Sequence, residues 1–170
     1  RSQVVARFFF PVFRPHLQRK QWQKKNRSKS RPSRAKINAG APVAAHRSAS
    51  YYRQACDDGY LLACSTLADM YRKGQGTARL DSEAAELYRL ACEGGRVDSC
   101  SDLGSMYRRG RGVTRDPERA FALYREGCLG GDADACNMLG LAYEVGITVA
   151  ADQDHAVELY RQACEGGSQR

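Results

Sequence analysis

The stretch LGSMYRRGRGVTRDPERAFALYREGCLGG, from Leu103 to Gly131, contains most of one copy of a unit that recurs along the chain. The same residue types return 36 residues earlier and 36 residues later. The cysteines show this period most clearly, with alternating gaps of 8 and 28 residues: Cys56, Cys64, Cys92, Cys100, Cys128, Cys136 and Cys164. A fixed period of this length is typical of a repeat protein whose units stack on one another.

Each period predicts two α-helices. Apolar and small side chains follow the i, i+3, i+4, i+7 spacing of one helix face in residues 82–93 and again in residues 97–109. Glycines such as Gly95 and Gly110 end these helices, because glycine accepts left-handed backbone geometry. Asp116 and Pro117 have the residue types of an N-cap and a first helical position. We therefore predict helices near 47–57, 61–73, 82–93, 97–109, 117–129, 133–145 and 153–165, and no strand.

Charge divides the chain into two parts. Residues 1–50 contain thirteen Lys and Arg and no Asp or Glu, whereas residues 51–170 contain fourteen against nineteen. We assign residues 1–46 to a basic, largely disordered tail and residues 47–170 to the repeat array. Three interpretations of the tail are retained. It is sequence outside the true protein, such as an upstream reading frame; an Arg-rich mitochondrial presequence; or a tail that binds nucleic acid or anionic surfaces, with Trp22 available for stacking. The last conflicts with a cysteine-rich partner domain, so nucleic acid is not an expected partner. No apolar run is long enough to predict a membrane span.

The recurring residues resemble those of the Sel-1-like repeat, a relative of the tetratricopeptide repeat. The residues that carry the resemblance are Leu103, Gly104, Tyr107, Gly110, Gly112, Asp116, Ala120, Leu123, Tyr124, Cys128 and Gly131. The paired cysteines make the chain similar to the cysteine-rich Hcp subgroup of Helicobacter. The resemblance implies an all-α fold, an α/α superhelical solenoid of about three and a half repeats. Leu80 replaces the recurring Asp and Thr148 the recurring Gly, so we expect the loops to differ there.

The cysteine pairs are predicted to form three disulfides: Cys56–Cys64, Cys92–Cys100 and Cys128–Cys136. In each pair one cysteine lies near the end of a helix and the other in the first turns of the next. A tight glycine turn between antiparallel helices brings the two Cα atoms within the ~4.4–6.8 Å that a disulfide spans. The alternative is reduced cysteines that pack as small apolar residues. Zinc is disfavoured because the chain has no C-x-x-C, and we expect no metal and no cofactor.

Members of the family that the chain resembles act mostly as adaptors, so the first hypothesis is a protein–protein interaction scaffold without catalysis. By analogy with tetratricopeptide arrays, the first helix of each pair lines the groove. Its variable positions supply the candidate partner-binding residues: Asp69, Arg72, Lys73, Ser105, Arg108, Arg109 and Leu141. Their positive charge favours an acidic protein or peptide, although a merely solvated helix face produces the same pattern.

Two alternative functions come from the resemblance alone. Some Hcp-type proteins bind or hydrolyse β-lactams, which would make the chain a β-lactamase-like hydrolase, although the sequence shows no nucleophile–base pair. Cysteine-rich Sel-1-like proteins also occur in the mitochondrial intermembrane space, where the chain would be an assembly factor. The density of predicted disulfides indicates an oxidising compartment. The expected location is therefore the periplasm or the outside of the cell, with the intermembrane space as the alternative.

Cys164 is predicted to be the one free thiol, because a partner eight residues further on would lie beyond the last residue given. Val157, Tyr160 and Ala163 are expected to be exposed beside it, and an exposed thiol near an apolar patch favours disulfide-linked dimers. Titration of the oxidised, unfolded protein should find one reactive thiol, which peptide mapping places at residue 164. Three or more reactive thiols would contradict the pairing.

Overall fold

The computed structural model describes the backbone of residues 43–167 and the side chains of residues 48–167. Within that range the chain forms seven helices and no strand: α1 (Val43–Asp57), α2 (Leu61–Lys73), α3 (Asp81–Glu93), α4 (Val97–Arg109), α5 (Pro117–Leu129), α6 (Ala133–Val145) and α7 (Gln153–Gly167). The all-α prediction is confirmed. None of these helices combines the length and apolar character needed to cross a bilayer. The predictions for residues 1–42 lie outside the described part of the chain.

The predicted helix bounds are wrong by a few residues at both ends of the array. α1 begins at Val43 rather than near residue 47. Val43 directly follows Pro42 in the sequence, and proline is tolerated at the start of a helix because the backbone N–H that it lacks has no helical partner there. α7 continues to Gly167 rather than ending at residue 165. The equivalent glycines of earlier repeats end their helices with φ values of 99° at Gly95 and 88° at Gly131. Gly167 stays helical instead.

We call α2, α4 and α6 the first helices of the repeats, and α1, α3, α5 and α7 the second helices. The loop after α4 packs against the start of α3, and this contact requires glycine. A Cβ atom on Gly112, whose φ is 67°, would lie 2.2 Å from the carbonyl carbon of Asp81. Thr148 occupies the equivalent position after α6, and no non-glycine residue among those described has a positive φ. The loop at Thr148 therefore follows a different path.

Side-chain caps begin two of the second helices. Asp116 accepts a hydrogen bond from the backbone N–H of Arg119 at 2.9 Å, and Asp152 accepts one from His155 at 2.9 Å. Leu80 occupies the same position before α3 and supplies no side-chain cap. Since an N-cap side chain contributes about 1 kcal/mol, α3 starts without a stabilising contact that its copies have.

In two of the repeats, a tyrosine of the second helix packs against a glycine of the first. Tyr124 is buried over Gly104, where a Cβ atom would lie 2.8 Å from the tyrosine Cε1. Tyr160 covers Gly140 in the same way, with a corresponding distance of 2.9 Å. Tyr124 belongs to a core cluster that joins neighbouring repeats: Ala120, Tyr124, Leu139 and Leu159. The recurring glycine therefore allows the two helices to approach closely.

Disulfides connect successive repeats rather than the helices of one repeat. They join α1 to α2, α3 to α4 and α5 to α6, with Cα–Cα distances of 4.7, 4.8 and 4.6 Å for Cys56–Cys64, Cys92–Cys100 and Cys128–Cys136. The helix pairs that they join pack together less extensively than the first and second helices of a single repeat. The covalent bonds therefore reinforce the less extensive of the two kinds of interface.

Gly104→Ala should destabilise the fold, whereas Gly140→Ala should not. The new methyl group at residue 104 meets a fully packed Tyr124, and overpacking of a core costs about 1–3 kcal/mol, against about 1 kcal/mol gained in helix propensity. Tyr160 is half-exposed and has room to move away from residue 140. Urea unfolding of the two oxidised variants measures the difference. A Gly104→Ala midpoint no lower than that of the unmodified chain would show that the contact with Tyr124 does not require glycine.

Candidate functional site

The first helices form the inner face of the array. α4 and α6 contact each other directly, whereas no two second helices among residues 43–167 make a comparable contact. The side on which neighbouring repeats come closest is the inner side of a curved solenoid. The predicted partner-binding residues lie on these helices: Asp69, Arg72 and Lys73 on α2, Ser105, Arg108 and Arg109 on α4, and Leu141 on α6.

In the first of these helices, the predicted residues bind one another. Asp69 accepts hydrogen bonds from Arg72 at 2.8 Å and from the hydroxyl of Tyr88 at 3.0 Å, and Lys73 lies 3.5 Å from the same carboxylate oxygen. Arg72 also donates to the Tyr88 hydroxyl at 3.1 Å. Burial alone would raise the pKa of Asp69, but these donors and charges outweigh it and hold that pKa below its usual value. Both cations of α2 are therefore paired within the chain.

Asp102, from the following repeat, faces this network. Its carboxylate is half-buried, and burial raises its pKa to about 6, against the opposing attraction of Arg72. The negative charges of Asp69 and Asp98 raise the pKa further. The sequence shows only that residue 102 varies between repeats, with Thr66 and Met138 as its counterparts. Its burial depends on contact with the preceding repeat, so the spacing within its own helix could not predict it.

The cations of α4 differ from those of α2. Ser105 stands where α2 has Asp69, and its hydroxyl lies 3.3 Å from the hydroxyl of Tyr124. Arg108 and Arg109 are exposed, and neither side chain has an ion pair or hydrogen bond with another residue of 48–167. Replacement of one carboxylate by a hydroxyl thus leaves two guanidinium groups available to a binding partner.

On α6, the same face becomes apolar. Leu141 is 40% exposed and Val145 is 55% exposed, so each presents hydrophobic surface to solvent. Met138, at the position equivalent to Asp102, packs on the core cluster around Tyr124. Glu144 accepts a hydrogen bond from the Tyr160 hydroxyl at 2.6 Å. The inner face therefore changes from a closed ionic network on α2 to unpaired cations on α4 and exposed aliphatic side chains on α6.

Cys164 lies on α7 and is exposed, with no disulfide. Val157 is 66% exposed and Tyr160 is half-buried against Gly140, but Ala163 is 4% exposed. The prediction of an exposed Ala163 is wrong, because α7 packs extensively on α6, the first helix of the same repeat, and Ala163 is buried.

The sequence profile of the Sel1 repeat matches residues 39–60, 61–95, 97–132 and 133–168. The chain belongs to the Sel1 repeat family. With these boundaries, each disulfide has one cysteine in one Sel1 repeat and one in the next, as Cys92 and Cys100 show. No curated protein matches the chain significantly.

Solved structures of Sel1 repeat proteins share this fold. The protective antigen c5321 of uropathogenic Escherichia coli strains, which displays an SLR fold, is 31% identical, with a TM-score of 0.66, over 70% of this chain and 26% of that one. A Sel1 repeat protein from Oxalobacter formigenes is 30% identical, with a TM-score of 0.67, over 70% of this chain and 47% of that one. The present chain thus spans about a quarter to a half of their lengths.

The cysteine-rich protein B of Helicobacter pylori, HcpB, is 25% identical to this chain, with a TM-score of 0.59. The similarity covers 77% of this chain and 96% of HcpB. The predicted relationship to Sel1 repeats of the cysteine-rich Helicobacter type is confirmed.

Asp102→Asn should stabilise this Sel1 array at neutral pH. A carboxyl whose pKa is about 6 in the folded protein binds its proton more tightly in the folded state than in the unfolded state. Its ionisation therefore lowers the stability of the fold as pH rises from about 4 to 6. The amide removes that loss, and we expect a gain of about 1–2 kcal/mol at pH 7.5 and a flatter dependence of the melting temperature on pH. Asp134→Asn, at an exposed carboxylate, is the control. A less stable Asp102→Asn variant would show that attraction to Arg72 outweighs burial.

Proposed function

We propose that this chain is a protein-binding scaffold whose inner face holds an acidic segment of a partner protein that also carries apolar side chains. Sel1 repeat proteins are typically interaction scaffolds, which gives the general class. The observation that carries the proposal is the pair of unpaired cations on α4, Arg108 and Arg109, together with the exposed side chains on the neighbouring first helix α6. Those apolar side chains are Leu141 and Val145. A carboxylate of the partner would bind the guanidinium groups, and a neighbouring aliphatic or aromatic side chain would cover α6.

The seven predicted partner-binding residues divide into two groups in this proposal. Arg72 and Lys73 are already paired with Asp69, so an incoming anion would have to compete with that carboxylate for both cations. Binding to Arg108 and Arg109 requires no such competition. Ser105, which replaces the carboxylate, has its hydroxyl 3.3 Å from that of Tyr124. We therefore assign the partner's acidic group to α4 and its apolar group to Leu141.

We also propose that the protein works in an oxidising compartment, the periplasm or the outside of the cell. Three disulfides support this location, since such bonds persist where thiols are not kept reduced. The similarity to HcpB supports it further. The two alternatives, β-lactam hydrolysis and assembly in the mitochondrial intermembrane space, rest on resemblance alone and have no observation of their own.

Selection from a displayed random peptide library against the oxidised protein should enrich peptides that combine Asp or Glu with aliphatic or aromatic residues. Charge reversal of both Arg108 and Arg109 to Glu should weaken a selected peptide by at least about tenfold, equivalent to ~1.4 kcal/mol. The melting temperature should fall only slightly, because neither side chain makes a described ion pair and only the attraction of the two cations to the C-terminal end of α4 is lost. Binding should also weaken as salt screens the charges.

Arg125→Glu is the matched control, because Arg125 is an exposed cation on α5, a second helix that lies away from the inner face. Its affinity should stay within about twofold of the unmodified chain. An equal loss of affinity in the control would show that net charge alone causes the effect. Unchanged affinity in the double variant Arg108→Glu with Arg109→Glu would show that the site lies elsewhere.

A further inference from the structure

The Glu126 carboxylate on α5 lies against the Cys92–Cys100 disulfide, which joins the preceding repeat to its own. One carboxylate oxygen and the sulfur atoms of Cys92 and Cys100 all lie within 4.8 Å of one another. Cys92 is 5% exposed and Cys100 is 1% exposed, whereas Glu126 is exposed. No hydrogen bond or ion pair joins the Glu126 side chain to any other residue of the described segment. Among the described residues, therefore, no cation is paired with this carboxylate beside the buried cystine.

This position faces a disulfide in another repeat as well, but with a different residue. Gln162 is the counterpart of Glu126 one period later, and its Oε1 lies 4.0 Å from the Sγ of Cys128. The counterpart one period earlier is Leu90. Of the three cysteine pairs, the Cys92–Cys100 pair is therefore the one beside a carboxylate.

We propose that reduction of the Cys92–Cys100 disulfide creates a zinc site in which the two thiolates and the Glu126 carboxylate are the protein ligands. Thiolate sulfur and carboxylate oxygen are both common zinc ligands, at about 2.3 Å and 2.0–2.2 Å. Three protein ligands leave a fourth tetrahedral position for water. The packing of α3, α4 and α5 brings the three side chains together before any metal arrives. The expectation of no metal applies to the oxidised chain, in which both sulfurs are consumed by the disulfide.

The exchange balances in two steps with a dithiol as the reductant. A thiolate of the dithiol attacks one cystine sulfur, and its second thiol resolves the mixed disulfide, so that two electrons and two protons reach Cys92 and Cys100 while the dithiol becomes a disulfide. Zn²⁺ then binds the two sulfurs and displaces their two protons. A metal bridge thus replaces the covalent bridge between two successive repeats.

The test uses the full chain with Cys164→Ser, reduced with a dithiol and then freed of it under anaerobic conditions. Competition against a coloured chelator should show one zinc ion bound much more tightly than any other, and the oxidised chain should lack it. Glu126→Gln should lower the zinc affinity by at least about 10–100-fold, because the loss of a residue that only orients metal ligands already costs that much. Zinc should also protect Cys92 and Cys100 from alkylation more strongly than the other four cysteines.

A residue exchange between repeats provides the matched control. The double variant Glu126→Gln with Gln162→Glu leaves the amino-acid composition unchanged and should move the protected pair from Cys92–Cys100 to Cys128–Cys136. If the reduced chain loses helix, the gain of far-UV ellipticity on zinc addition serves as the readout, and this gain should be lost in Glu126→Gln. Equal zinc affinity in Glu126→Gln, or equal protection of all three pairs in the unmodified chain, would overturn the proposal.

Discussion

A bond between residues eight positions apart holds successive repeats together. In each case the last turn of one helix and the first turn of the next are linked with their Cα atoms 4.6–4.8 Å apart. A closed loop of this length contributes about 2.5 kcal/mol in the chain-entropy model, so the three bonds amount to about 7 kcal/mol, comparable with the whole stability of a small domain. The glycine turns allow the two helices to run antiparallel, and this arrangement places the cysteine Cα atoms within the range that a disulfide spans. Because the bonds cross repeat boundaries, they fix how each unit sits on its neighbour.

With the junctions held covalently, the rest of the packing uses few residue types. A tyrosine on a glycine or alanine brings the two helices of a repeat together, as Tyr124 does on Gly104. The side chains on the inner face vary from helix to helix, and one of them binds the hydroxyl of that tyrosine, as Asp69 does for Tyr88 and Ser105 for Tyr124. The change from Asp69 to Ser105 keeps this contact but replaces the carboxylate with which the two cations of α2 are paired. The cations at the equivalent positions of α4 are therefore unpaired.

Much of this structure could be predicted from the sequence, because a strict period exposes every structural position three or four times. The helices and the cysteine spacing are local features, and their prediction needed only the 3.6-residue pattern and the glycines. The half-buried Asp102 near Arg72, the carboxylate of Glu126 beside a cystine and the buried Ala163 all depend on contact with another helix. Local spacing carries no information about such contacts. The pairing of Arg72 with Asp69 is the exception, since three residues of separation on one helix already indicate it.

The position of the disulfides also determines how the array responds to mechanical tension. Pulled from its two ends, the oxidised chain transmits force through the sulfur–sulfur bonds, because each bond is a shorter path than the turn that it spans. Between Cys56 and Cys136, only the segments between one bonded pair and the next can be drawn out, for example the 27 residues from Ser65 to Ala91. Each such segment lengthens to at most about 3.3–3.6 Å per residue. The glycine turns at the junctions bear no force, so the segments between disulfides extend one by one while the disulfides keep successive repeats linked.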